Sequence, residues 1–114
     1  MARKRHPKTV KIGYMDFHIN PRTRRWANRN KAMGMITFQN RHKQIEYDKT
    51  EVRDEITNTI LHEILHGIAY VFDIHFKSAR EEEKFVRTMA NGLSTVFKDN
   101  PDILKWLVSE YANN

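Results

Sequence analysis

The chain has 114 residues, of which 39% are apolar, 30% charged and 11% aromatic, with a formal net charge of +6. That length suits one small domain, and six Phe, four Tyr and two Trp are enough to seed one core. The lack of cysteine excludes a disulfide framework, a Cys-type zinc finger, an iron–sulfur site and thiol catalysis, so any metal must be held by His and carboxylate. No apolar run approaches the roughly 18 residues of a membrane span. Met1–Lys8 is basic but leads into no apolar stretch, so it does not read as a signal peptide. The expectation is a cytoplasmic monomer with no membrane partner.

Charge divides the chain. Residues 1–49 carry 13 Lys and Arg against 3 Asp and Glu, and residues 50–114 carry 7 against 11. The basic half serves solubility, or it meets phosphate or an acidic protein. The expected organisation is a single domain over 1–114, with a disordered basic tail over 1–8, a strand-rich basic half over 9–49 and a helical half over 50–114.

In chain order, Val10, Ile12 and Tyr14 alternate with Lys11 and Gly13, and then Met15, Phe17 and Ile19 alternate with Asp16 and His18. The phase flips once near Gly13–Met15, which suggests a bulge or bend. Asn20-Pro21 should end this run, because proline cannot donate to a ladder. Residues 22–32, rich in Arg and Asn around Trp26, read as a loop. Met33–Phe38 and Gln44–Tyr47 read as short strands joined through Asn40-Arg41-His42.

From Thr50 or Asp48, either of which can cap, a helix follows with Glu51, Asp54 and Glu55 in its first turn. Val52, Ile56, Ile60, Ile64, Ile68 and Val71 keep its period near 3.6. Ser78 and Glu81 form an S-x-x-E start for a second helix, striped by Phe85, Val86, Met89, Leu93, Val96 and Phe97. Pro101 suits the first position of a third. The fold class is α+β: a small antiparallel sheet of about three strands, then three helices packed on it.

The first of these helices contains His62-Glu63-Ile64-Leu65-His66, an HExxH motif expected by chance in about 0.02 copies at this composition. Residues i and i+4 share a helix face, so both imidazoles can grip one ion. Glu63 is offset around the helix, poorly placed to ligate and well placed to take a proton from water at the metal. The bland reading is a core helix whose two histidines are hydrogen-bonded to buried groups.

Thr59-Ile60-Leu61-His62-Glu63-Ile64-Leu65-His66-Gly67-Ile68 resembles the extended signature of the zincin metallopeptidases. The resemblance implies a sheet whose edge strand lines the cleft, an active-site helix bearing both histidines, and Glu63 as general base. Ala69 and Phe72 stand where the metzincin extension needs Gly and His, which excludes that branch. The gluzincin branch takes its third ligand from a Glu on the following helix, and Glu81-Glu82-Glu83 opens such a helix here. Glu83 to Leu93 is also similar to the third-ligand helix of small phage- and prophage-type zincin-like domains, which implies a bacterial or phage-infected host cell.

Among the three acids, Glu83 shares a stripe with Arg87 and small Ala90, which favours it as ligand. Glu82 shares the more crowded stripe of Val86 and Met89, and Glu81 is drawn into the cap. His75 is a rival ligand if the helix breaks near Asp73. The set His62, His66 and Glu83 implies one Zn²⁺ per chain with an open fourth position. The activity so implied is hydrolysis of an amide bond in a peptide or a dedicated protein partner. Tyr70 is a candidate for stabilising the oxyanion and Asn91 for orienting a histidine. The alternative is a catalytically silent, zinc-stabilised binding module. Its basic half, with Trp26 among Arg22, Arg24, Arg25 and Arg29, would meet nucleic acid or an acidic protein.

Overall fold

The computed structural model describes residues 5–39 and 41–113. Its elements are β1 (Thr9–Ile12), β2 (Met15–Arg22), α1 (Arg24–Asn30), β3 (Gly34–Thr37), β4 (Gln44–Asp48), α2 (Arg53–Val71), α3 (Ala79–Asp99) and α4 (Pro101–Ala112). The class is α+β, as the periodicities imply. The sheet, however, has four strands in the order β1-β2-β4-β3, with β2 and β4 parallel and the outer pairs antiparallel. It is therefore mixed rather than antiparallel, and β3 forms an edge.

The phase flip is neither bulge nor bend but a two-residue hairpin, since Ile12 pairs with Met15. Gly13 takes φ 59°, the conformation that the first position of a II′-type turn requires. The reversal keeps Val10, Ile12, Met15 and Phe17 on one face, where they meet Ile45 and the Ile64, Ile68 and Val71 side of α2. Phe17 and Ile45 are fully buried there.

The second strand also outruns its proline, through Pro21 to Arg22. Along β2 the amides alternate sides: His18 N donates to Lys43 O near β4, and Ile19 N to Lys8 O beside β1. Pro21 has the parity of Ile19, so its missing N–H falls on the side that β1 does not reach. Residues expected in a tail come to the sheet, for His6 Nε2 lies 2.6 Å from the Tyr47 hydroxyl. Residues 1–4, and Asn40 of the expected hairpin connection, lie outside the described residues.

Residues 22–32 are not a loop throughout. Thr23 Oγ1 accepts from Trp26 N at 3.1 Å, starting α1, and Lys31 closes it at φ 53° with its amide on Ala27 O and Asn28 O. Only Trp26 and Ala27 are apolar in these seven residues, too few to show a period. α2 is not capped as expected either. Val52 holds the N-cap position without a side-chain bond, and Asp48 Oδ1 instead accepts from Thr50 N and Oγ1 at the end of β4. α3 begins as expected, Ser78 Oγ accepting from Glu81 N at 3.1 Å, and Pro101 opens α4. α3 buries Val86 and Ala90, and its small Ala90 is fully enclosed. No helix is long and apolar enough to cross a membrane among the described residues.

Candidate metal centre

The histidines of α2 project one turn apart, their ring centroids 4.9 Å from each other. The Ser78 cap fixes where α3 begins, and so places Glu82 and Glu83 in its first turns opposite these rings. Glu83 bridges the pair: Oε1 lies 2.8 Å from His62 Nε2, and Oε2 lies 2.8 Å from His66 Nε2. Glu82 Oε2 takes the other nitrogen of His66, Nδ1, at 2.7 Å. One ligand atom from each of His62, His66 and Glu83 lies within 4.8 Å of the others, so this group can hold a metal ion.

The donor chemistry suits that role. Two imidazole nitrogens and one carboxylate oxygen match a borderline divalent cation. Glu82, rated a candidate ligand on the sequence, engages the ring nitrogen that points away from the triad. An acceptor on Nδ1 fixes the tautomer and orientation that leave Nε2 free to ligate. Burial disfavours charge on both rings. It holds His62 below its ordinary range despite Glu83, whereas on His66 the bonds from Glu82 and Glu83 outweigh burial and raise it.

Glu63 is buried, 7% exposed. Burial pushes its carboxyl up to about 7, with Glu83 adding to the rise and His66 opposing it. Gly34, on the edge strand, makes the placement sterically feasible. A Cβ there would overlap Thr59 Cγ2 and come within 3.3 Å of Glu63 Oε2 and of the Glu46 carbonyl. Glycine thus lets α2 lie directly against β3, a role marked in the sequence only by a glycine inside a strand.

These groups line one cleft of about 590 Å³. One wall is the edge strand with Met33, Gly34 and Met35, the other is α2 and the start of α3, and Lys31 and Asn58 complete it. No spacing or motif marks Lys31, Asn58 or the two methionines as lining residues.

The remaining expected site residues lie elsewhere. α2 does end before Asp73, which takes φ 58°, yet His75 points into solvent with Asp73 as its 3.4 Å neighbour. Tyr70 stacks on Phe38 with ring centroids 4.1 Å apart. Asn91 Oδ1 accepts from Asn58 Nδ2 at 3.0 Å, so it touches a cleft residue rather than a histidine. Of the arginines around Trp26, Arg22 is paired with Glu46 at 2.7 Å, and Arg24 with Asp48 at 3.0 Å and Glu51 at 2.7 Å. Arg22 also lies over the Trp26 ring, 5.9 Å from its centroid.

Comparison with models of protein families, with curated proteins and with solved structures finds no significant match to this chain.

Proposed function

We propose that the protein is a zinc-dependent peptidase acting on a peptide or a dedicated protein partner. The observation that carries this reading is Glu63: a buried carboxyl raised to about 7, beside a His-His-Glu group, in a cleft open to an edge strand. A purely structural metal site has no use for such a neighbour.

His62, His66 and Glu83 would hold the ion, and Glu82 keeps His66 oriented toward it. A zinc ion bound there would supply Lewis acidity toward water and a carbonyl oxygen. Glu63 supplies the proton transfers. Its carboxylate, buried beside the ligand group, is placed to accept the proton of an attacking water. It then returns that proton to the departing amine nitrogen as the C–N bond breaks. The unpaired edge of β3 offers backbone hydrogen bonds to an extended substrate, as sheet edges do for peptides elsewhere.

Elemental analysis and a peptide-cleavage screen test this together. The parent should carry one zinc per chain, lost in His66→Ala and in Glu83→Ala. Glu63→Gln should retain zinc and lose cleavage by about 10²–10⁴-fold. Undiminished cleavage by Glu63→Gln would remove the general base, and failure of the parent to take up supplied zinc would remove the reading altogether.

A further inference from the structure

The cleft continues past His66. One turn further along α2, Tyr70 lies nearly flat on Phe38, the planes 13° apart. With Tyr14 and Ile74 this pair walls a second hollow of about 570 Å³, which shares Phe38 and Glu82 with the metal cleft. Tyr14 is 75% exposed, Tyr70 53% and Ile74 47%. Their backbones are fixed: Tyr14 sits in the β1–β2 turn, and Ile74 N donates to Ala69 O at 2.8 Å. Single exposed apolar residues are ordinary on a surface. Several beside one hollow, continuous with a candidate metal centre and rimmed by Asp73 and Glu82, offer a surface on which an apolar side chain can pack.

The strand and the helix give this shelf a direction. Gly34 lies against Thr59 and Glu63, while Phe38 lies against Tyr70, so β3 and α2 run the same way and the shelf stands beyond the C-terminal end of β3. A peptide added antiparallel to β3 therefore runs from the shelf, past the metal centre, toward Lys31. Charge favours that orientation. Asp73 and Glu82 border the shelf, where the amino side of the peptide would lie, and Lys31 borders the far end, where its carboxyl side would lie.

We propose that the Phe38–Tyr70 shelf, with Tyr14 and Ile74, binds a large apolar or aromatic side chain on the N-terminal side of the scissile bond. This rests on the peptidase reading and narrows it to extended peptides bearing such a residue before the cut. Tyr70, half exposed on its stack with Phe38, leaves aromatic surface for offset or edge-to-face contact with such a side chain.

The test uses the zinc-loaded full chain and two decapeptides of Gly, Ala and Ser, one carrying a single Phe and the other Gly in its place. The parent should cleave the Phe peptide at least about tenfold more efficiently, as kcat/KM, with Phe on the amino-terminal product. Tyr70→Ser should lower that ratio severalfold with zinc content unchanged, and Tyr14→Ser, in an exposed turn, should lower it too. Peptide binding to zinc-loaded Glu63→Gln, followed by fluorescence anisotropy, separates the two readings. If this variant binds the Phe peptide more tightly while the parent cleaves neither, the shelf stands and the peptidase reading falls. Equal cleavage of both peptides, or cutting before the Phe, overturns the shelf and leaves the peptidase reading in place. Neither binding nor cleavage overturns both.

Discussion

Glu46 and Asp48 on β4 and Glu63 on α2 are buried to a similar degree, 6%, 1% and 7% exposed, yet only the two on β4 meet a guanidinium. Arg22 answers Glu46 and Arg24 answers Asp48 across the sheet. Thr50 adds two hydrogen bonds to Asp48 Oδ1, and these, more than the Arg24 charge, hold that carboxyl below its usual range. Glu63 lies beside a histidine and a second carboxylate, and its pKa moves the other way. A buried carboxylate with a cation and donors fastens the fold in its ionised form. One without them is held ready to exchange a proton, which is what a general base requires.

Replacing each acid by its amide should separate the two kinds of burial by sign. Asp48→Asn keeps the shape and removes the charge that Arg24 and Thr50 are arranged around. It should lower stability toward urea at pH 7. Glu63→Gln in metal-free protein should instead raise stability at that pH, because it removes a carboxyl that burial disfavours in its ionised form. A neutral Asp48→Asn would mean that the arginine pairs contribute no more than exposed ones do.

Much of this was readable from residue spacing, and what escaped has a common cause. His62, Glu63 and His66 follow from i, i+4 geometry, which is local, whereas a Glu of the next helix is pointed to by the resemblance and Glu83 is singled out among its neighbours by the stripe it shares with Ala90. The pairing of β2 with β4 is long-range: it depends on a crossover through α1 and β3 that no alternation encodes. α1 escaped because seven residues with two apolar side chains show no period. The position of Asp48 before the helix suggests a cap, whereas it ends its strand by binding Thr50 and facing Arg24. Spacing puts Glu82 in the first turn of α3, but only side-chain geometry shows that it meets His66 Nδ1 rather than joining the His62, His66 and Glu83 group.

The second prediction concerns pH and has a defined sign. In the folded chain the Glu63 pKa is about 7, while in the unfolded chain it returns to about 4.5. Between those values the folded state holds a proton that the unfolded state has released, so stability falls as pH rises through that window. The penalty is absent near pH 4.5 and complete above about pH 7. Metal-free Glu63→Gln should therefore match the parent near pH 4.5 and exceed it by about 2–3 kcal/mol at pH 8. Urea unfolding in the presence of a chelator measures this. A difference that does not vary with pH would show that Glu63 does not titrate in that range.

The smallest effect sharpens the boundary between ligand and support. Glu82→Gln retains an amide oxygen for His66 Nδ1 but removes the negative charge, so the ring keeps its orientation and loses basicity. On the proposed zinc site, affinity measured by competition with a chromogenic chelator should drop about tenfold, with one zinc per chain still bound at saturation. Complete loss of zinc would make Glu82 a ligand in its own right and displace Glu83 from that role. An unchanged affinity would reduce Glu82 to an acid at a helix start, leaving the orientation of His66 to its packing in α2 and its contact with Glu83.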